Sequence, residues 1–289
     1  VSRIAYVNGR YARQAEASVN IEDRGYQFAD GVYEVVFVTG GRLIDEDLHL
    51  ARLQRSLREL RIAMPMALAP LSLVLREVAR RNRLRDGLLY IQVTRGVARR
   101  EHVFPSASVP PALVVTAKRG VAFPRDIDAW SVSAITHKDE RWARCDIKTV
   151  GLLANVLAKQ AAREAGAAEA ILHDNAGNVT EGGSSNVWIV DAGGVLRTRP
   201  LSHAILPGCT RAALLPLLAE AGIAFAETGF TLTDLASARE VFVTSATSHV
   251  KPVTAVDGKP VADGKPGPVT RQLLQLFARH VQGARHNAA

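Results

Sequence analysis

Val32-Tyr33-Glu34-Val35-Val36-Phe37-Val38-Thr39, followed by Gly40-Gly41 and Arg42-Leu43-Ile44, is a run of β-branched and aromatic residues that stops at a glycine pair. Such a run reads as a strand turning into a second, short extended piece. Asp45 comes next and is placed to cap a helix. Within that helix Leu50, Leu53, Leu57 and Leu60 recur at spacings of three and four, one apolar stripe with Arg52, Arg55 and Arg58 beside it. A strand, a turn and a helix in this order, rather than strands and helices alternating in regular units, indicate an α/β chain of the α+β type.

Outward from this stretch, residues 1–9 read as a polar-interrupted strand with an Asn8-Gly9 turn signal. A second helix is expected at 71–82 after Pro70, then strands at 88–95 and 112–118, the last introduced by Pro110-Pro111. Residues 119–128 contain Gly120, Pro124 and mixed charges and read as a linker. The expected organisation is therefore an N-terminal α+β domain at 1–119, a linker at 120–128 and a C-terminal α/β domain at 129–289. In the latter the patterns indicate strands at 130–136, 169–174, 186–191 and 240–244, and helices at 152–164, 210–221 and 269–280. Pro216 should break or kink the middle helix at a cost of ~3 kcal/mol. Residues 257–264, with Asp257-Gly258 and Asp263-Gly264, read as turns.

The 289 residues correspond to about two domains of typical size, and 47% hydrophobic with 22% charged residues exclude a disordered chain. No apolar run approaches the ~18 residues of a membrane span, and nothing resembles a secretory leader, so a cytoplasmic protein is expected. Cys145 and Cys209 cannot make a disulfide framework, and no Cys/His cluster has zinc-ligand spacing, so no metal is expected. The net charge of +8 raises the question of nucleic acid. The densest basic run, Arg76, Arg80, Arg81, Arg83 and Arg85, lacks interleaved aromatics for base stacking and reads as a solvated helix face.

Five segments can carry chemistry. Lys148, in Cys145-Asp146-Ile147-Lys148-Thr149, can form a Schiff base with a carbonyl group, with Arg141 and Arg144 near it in sequence; it can equally be a surface lysine before a helix. Glu181, in Thr180-Glu181-Gly182-Gly183-Ser184-Ser185-Asn186, precedes a turn whose glycines permit close approach of a ligand, and a buried glutamate there can keep a pyridine nitrogen protonated; a hairpin with an exposed glutamate has the same pattern. Leu206-Pro207-Gly208-Cys209-Thr210 opening a helix, and Thr244-Ser245-Ala246-Thr247-Ser248 after a strand, resemble phosphate cradles, or a simple N-cap and a polar strand end. Arg100 and His102, on the same side of an extended chain, can grip a carboxylate, or belong to a solvated basic loop.

Taken in order, these segments resemble the fold-type-IV pyridoxal-phosphate enzymes, and most closely the D-amino acid aminotransferases. The resemblance runs from Tyr6-Val7-Asn8-Gly9 and Asp23-Arg24-Gly25-Tyr26-Gln27-Phe28 through Asp30-Gly31-Val32-Tyr33-Glu34 and Arg100-Glu101-His102-Val103-Phe104-Pro105. It continues with Arg144-Cys145-Asp146-Ile147-Lys148, Asn155-Val156-Leu157-Ala158, Thr180-Glu181-Gly182, Ser184-Ser185-Asn186-Val187 and Phe242-Val243-Thr244-Ser245.

The resemblance implies a two-domain fold-type-IV aminotransferase with pyridoxal 5'-phosphate (PLP) between the domains, acting by ping-pong kinetics on D-amino acids and 2-oxo acids such as 2-oxoglutarate. It implies that Lys148 forms the internal aldimine and shuttles the Cα proton, that Glu181 pairs with the pyridine nitrogen and that Arg52 binds the phosphate. Cys209, Thr210 and Ser245 would assist at the phosphate, and Leu206 would pack on the ring. Tyr33, with Arg100 and His102 from a neighbouring subunit, would bind the substrate carboxylate, which implies a homodimer. The Arg-x-His pattern separates this group from the branched-chain L-aminotransferases, (R)-amine transaminases and aminodeoxychorismate lyases that share the fold. Ala246 stands where the close family has a second hydroxyl, and Glu101 stands between the two carboxylate-binding residues, which favours D-alanine over D-aspartate or D-glutamate.

Overall fold

The computed structural model describes residues 3–283. The first two residues of the expected opening strand and the last six of the expected C-terminal domain lie outside them. The chain separates into one unit made of the residues up to Ala122 together with Ile147–Gly151, and another made of Phe123–Asp146 and the residues from Leu152 onward.

The first unit contains β1 (Ile4–Val7), β2 (Arg10–Arg13), α1 (Arg24–Phe28), β3 (Gly31–Thr39), β4 (Arg42–Leu43), α2 (Glu46–Glu59), α3 (Leu68–Arg81), β5 (Gly87–Thr94) and β6 (Ala112–Arg119). Its strands form one antiparallel sheet in the order β2-β1-β6-β5-β3-β4. Side chains alternate across a strand. Val32 and Val36 of β3, Leu89, Ile91 and Val93 of β5 and Val115 of β6 therefore meet Leu53, Leu57, Leu71, Leu75 and Val78 of α2 and α3 in a single core. Each such side chain contributes roughly 1.5–3 kcal/mol on burial. The other set, Tyr33 and Val35 opposite Gln92 and Tyr90, is half-buried on the far face of the sheet.

Two local expectations change here. Asp45 is the N-cap of α2, but at φ +53° its side chain makes no cap bond. The helix expected at 71–82 starts earlier, at Leu68, because Pro70 falls in its first turn, where an N–H has no helical partner to lose. Of the basic run, Arg76, Arg80 and Arg81 lie on α3, where Arg80 and Arg81 pair with Glu77 and Arg76 with Glu46, whereas Arg83 and Arg85 follow the helix rather than extending its face.

The second unit contains α4 (Ile127–Trp130), β7 (Val132–Lys138), α5 (Leu153–Glu164), β8 (Glu169–His173), β9 (Val179–Gly182), β10 (Asn186–Val190), β11 (Leu196–Thr198), α6 (Cys209–Glu220), β12 (Phe225–Glu227), α7 (Leu232–Ala236), β13 (Glu240–Ser245), β14 (His249–Val256), β15 (Lys259–Pro260) and α8 (Pro268–Gly283). Its mixed sheet runs β12-β11-β10-β13-β14-β7-β8-β9, with β15 beside β14. The β11/β12, β14/β7 and β7/β8 pairs are parallel.

Trp130, expected to open a strand, instead ends α4, whose first turn is capped by the Asp126 carboxylate, so helix takes over the end of the expected linker. Pro216 does not break α6, which continues to Glu220. Ala213, Leu214 and Leu218 are buried on either side of it, and their burial offsets the one missing hydrogen bond. The strand β14 was not legible, because Pro252 argues against a strand; it pairs with Phe242 all the same. Asp257 and Gly258, both at positive φ, make the turn from β14 to β15. Among the described residues no helix is long and apolar enough to cross a membrane.

Candidate active site

Lys148 lies in the segment Ile147–Gly151, which packs with the first unit although it follows the expected linker. Ile147 fills the α2/α3 core, Tyr33 N donates to the Lys148 carbonyl at 3.0 Å, and Val150 N donates to the Gly31 carbonyl at 3.1 Å. These bonds bring the lysine to the far face of the sheet, with Nζ 4.3 Å from the centre of the Tyr33 ring. Tyr33 in turn stacks on Tyr90 at 5.6 Å. Burial, with Tyr33 beside it, pushes the Tyr90 phenol up to about 12. Its hydroxyl donates to Gln92 at 2.7 Å.

Arg52 projects from α2 toward the sheet and is buried against Glu34 of β3. Nε donates to Oε1 at 2.7 Å and Nη2 to Oε2 at 2.8 Å, a two-pronged pair, and His49 Nδ1 approaches the same carboxylate at 2.8 Å. Burial pushes the Glu34 carboxyl up, but the Arg52 charge and hydrogen bonds, then His49, outweigh it and hold the group well below the usual range. Sequence reasoning missed Glu34 and His49. The available signal was a carboxylate on the core-facing side of an otherwise apolar strand.

Arg141 and Arg144, expected as cations close to Lys148, are engaged with carboxylates. Arg144 forks onto Asp146 at 3.0 and 3.1 Å. Arg141 forks onto Asp139 through Nε at 2.9 Å and Nη2 at 2.7 Å, and its Nη1 donates to Glu181 Oε1. Glu181, on β9 and only 4% exposed, also accepts Leu206 N at 3.0 Å and Asn186 Nδ2 at 3.1 Å on Oε2. Two oxygens accepting three N–H donors describe an ionised, acceptor-only carboxylate. The exposed-hairpin alternative is thereby overturned.

Thr210 and Cys209 are buried in the first turn of α6. Its N-cap is Gly208, and no side chain caps the turn. A Cβ at Gly208 would lie 2.1 Å from Asn186 Oδ1, so only glycine lets α6 approach the amide that also holds Glu181. Ser245 ends β13, and its hydroxyl lies 3.2 Å from that of Thr247 and accepts Ser248 N at 3.0 Å; Ala246 adds no polar group to this turn.

Arg100 and His102 sit on an exposed, bent loop rather than on an extended strand. They nevertheless converge on one ring: Phe28 lies 4.6 Å from the Arg100 guanidinium carbon and 5.5 Å from the His102 ring. Arg24, fixed by Asp30 at 2.8 Å, donates to the Glu101 carbonyl at 2.6 Å and covers Phe28 from 4.8 Å. The three expected carboxylate-binding residues thus form two groups: Tyr33 beside Lys148, and Arg100 with His102 around Phe28.

Residues 31–256 match the family model described as amino-transferase class IV. The chain is 45% identical over 266 residues to the D-alanine aminotransferase of Bacillus licheniformis, covering 92% of this chain and 93% of that one. To the D-alanine aminotransferase of Staphylococcus aureus strain MSSA476 it is 40% identical over 279 residues, 96% and 97% of the two chains. Among solved structures, the T.th. branched-chain amino acid aminotransferase with pyridoxamine 5'-phosphate superposes with a TM-score of 0.87 at 27% identity, covering 99% of this chain and 96% of that one. The branched-chain enzyme of Escherichia coli gives 0.86 at 26% identity, over 96% and 94%. With four-fifths of its length matched by the family model and near-full-length relatives at 40% identity and above, the chain belongs to the class IV aminotransferases.

Proposed function

We propose that this class IV aminotransferase is PLP-dependent and moves the amino group of D-amino acids, D-alanine foremost, to 2-oxo acids such as 2-oxoglutarate. The observation that carries the reading is the 40–45% identity to D-alanine aminotransferases over almost the whole chain, against 26–27% to the branched-chain enzymes.

The residues fit the cofactor. Glu181 offers a buried, ionised carboxylate to a ring nitrogen, while the uncapped first turn of α6 with Thr210 and Cys209, the Ser245 hydroxyl and Arg52 suit a phosphate. Leu206 would face the ring beside its own N–H bond to Glu181. When bound, PLP supplies an electron-withdrawing ring that takes up the electron pair released at the substrate Cα and carries the amino group between the two half-reactions. Lys148 Nζ is the base that removes and returns the Cα proton, with the Tyr33 ring packed against it. Arg100 and His102 bind the α-carboxylate as fork and directed donor. Because they gather round Phe28 while Tyr33 faces Lys148, we assign them to the site of a second copy, making the enzyme a homodimer. A cytoplasmic location belongs to the same reading.

The direct test mixes the holoenzyme with D-alanine, L-alanine or L-leucine and follows conversion of the cofactor to its pyridoxamine form. Conversion by D-alanine alone is expected. Conversion by L-leucine would transfer the protein to the branched-chain group. Lys148→Ala should fold and lose nearly all turnover; retained wild-type rates would remove Lys148 from the reaction.

A further inference from the structure

The loop that carries Arg100 and His102 leaves β5 at Gly96 and returns to β6 past Pro110, and its two ends pass so closely that a Cβ on Gly96 would run into the Pro110 carbonyl. Its first residues are tied down through the backbone: Arg24 N donates to the Gly96 carbonyl at 3.0 Å and Ala98 N to the Glu22 carbonyl at 3.3 Å. Residues 99–105 form no helix, strand or bridge, so regular backbone pairing does not fix where Arg100 and His102 stand. Two side-chain contacts do. Arg24 Nη1 donates at 2.6 Å to the carbonyl of Glu101, the residue between them. Beyond His102, the Phe104 ring packs against the guanidinium of Arg95 at 3.7 Å and that of Arg61 at 4.7 Å.

Both contacts lead back to one carboxylate. Asp30 precedes β3, and its Oδ2 accepts Arg24 Nε at 2.8 Å, while Arg95 forks onto the same group with Nε at 2.7 Å and Nη2 at 2.9 Å. Arg95 also donates to the Leu60 and Arg61 carbonyls, at 2.8 and 2.9 Å, just past the end of α2. The Arg24, Arg95 and Asp30 side chains are 4%, 10% and 13% exposed, and among the described residues Asp30 is the one carboxylate in ion-pair contact with either arginine. Burial pushes the Asp30 carboxyl up, but the hydrogen bonds and charges of Arg95 and Arg24 outweigh it and keep it below its ordinary value. The nearby Asp23 is engaged elsewhere, accepting the Thr94 hydroxyl at 2.9 Å and Gly25 N at 2.8 Å. Neutralising Asp30 would leave two buried guanidinium groups with no anion between them, a state relieved only when one of them moves. Whichever moves, a loop contact goes with it.

We propose that Asp30 is a positioning residue for substrate binding: by holding Arg24 and Arg95 it fixes the loop at Glu101 and Phe104, and so sets Arg100 and His102 in the arrangement that accepts an α-carboxylate. This rests on the assignment of Arg100 and His102 to that carboxylate. The Phe28 ring, shared by Arg24, Arg100 and His102, carries the same hold out to the two side chains themselves. Asp30 acts only through the two arginines and moves no proton. An aspartate that merely stabilised the first unit would change the amount of folded enzyme without separating KM from kcat.

The test compares wild-type holoenzyme with Asp30→Asn, Arg24→Met and Arg100→Ala, in D-alanine kinetics and in limited trypsin digestion of the native protein at Arg99 and Arg100. Asp30→Asn is expected to raise KM for D-alanine roughly tenfold, with kcat changed by less than about twofold. Trypsin should cut after Arg99 or Arg100 about tenfold faster, because a released loop presents its chain to the protease, while cutting at Arg80 and Arg81 of α3 stays at the wild-type rate. Arg24→Met keeps the Asp30 to Arg95 fork and removes only the Glu101 contact; it should move both readouts the same way, and it serves if Asp30→Asn does not fold. In an Arg100→Ala, His102→Ala background, Asp30→Asn should lower kcat/KM by less than about a further twofold, since the residues through which it acts are gone. A full additional loss there, or a fall in kcat at constant KM, overturns the proposal. So do an unchanged KM and unchanged loop cleavage in Asp30→Asn and Arg24→Met when Arg100→Ala raises KM, and the Arg100 assignment then stands. If Arg100→Ala itself leaves KM unchanged, that assignment falls and takes the proposal with it.

Discussion

In the first unit Glu34 faces one guanidinium and one imidazole, Arg52 and His49, whereas in the second Arg141 faces two carboxylates, Asp139 and Glu181. Both clusters are buried, and both draw an arginine onto a strand carboxylate. Glu34 and Arg52 oppose each other's charge, and the two-pronged fork locks the guanidinium in place. In the second, one guanidinium is shared between two carboxylates. The way an arginine is shared, rather than its burial, distinguishes the two clusters.

The largest expected effect breaks the closed cluster. Glu34→Gln removes the anion against which Arg52 is buried and should cost about 3–5 kcal/mol in denaturant unfolding. Asp139→Asn should cost clearly less, because Arg141 keeps Glu181. Equal losses would show that the two clusters do not differ in the way argued above.

The acid response sharpens the same contrast. Both Glu34 and Asp139 are held below their ordinary values of 4.5 and 3.8, so their stabilisation is complete above those values and is lost as pH falls through the lower folded-state ones. Glu34→Gln should flatten that acid limb. His249 acts earlier: burial, and then Lys251, push it down to about 3, while the unfolded chain takes up the proton below about 6.5. Stability should therefore fall with pH between these values by about 1.4 kcal/mol per pH unit. His249→Asn, which tolerates the same positive φ, should remove the slope, and an unaltered slope in urea melts would assign it elsewhere.

Smaller effects are expected at the loops proposed to contact the substrate and the cofactor. Arg100→Ala should raise KM for D-alanine by roughly 10–100-fold, the equivalent of about 1.5–3 kcal/mol for a charged hydrogen bond, while leaving the rate of Cα-proton removal at saturation nearly intact. An unchanged KM would remove Arg100 from carboxylate binding. Ala246→Ser restores a hydroxyl to the β13–β14 turn and should tighten PLP binding by about 1 kcal/mol, a few-fold in Kd by equilibrium dialysis. Looser binding would mean that the turn does not face the phosphate.

Much of the element order was legible because apolar periodicity is local. The stripe Leu50, Leu53, Leu57 forms the inner face of α2, and the run at β3 is a strand. The α6 helix defeated local reasoning because Pro216 lowers helix propensity by a fixed local amount, whereas burial of Leu214 and Leu218 is supplied by partners distant in sequence. At the candidate site, single segments left Lys148, Glu181 and the Gly208 turn ambiguous, and their joint order supplied the family. Arg141 was read only as a neighbour of Lys148 in sequence; its contact with Glu181 spans forty residues and arises from the packing of β9 near the loop after β7. Phe28 entered only as the last residue of a family-like motif and with no role of its own, since a lone aromatic at the end of a short helix is ordinary.

By itself the sequence determined the α+β character, the class of chemistry open to a lysine and a glutamate in their flanking patterns, and the likeness to class IV aminotransferases. These depend on residue types and their spacing along the chain. Only the tertiary structure decided which charges are buried together: that Glu34 closes with Arg52, that Arg141 is shared by Asp139 and Glu181, and that Arg100 and His102 share one ring. Electrostatic interaction depends on distance and dielectric in the fold, and neither is written in the order of the residues.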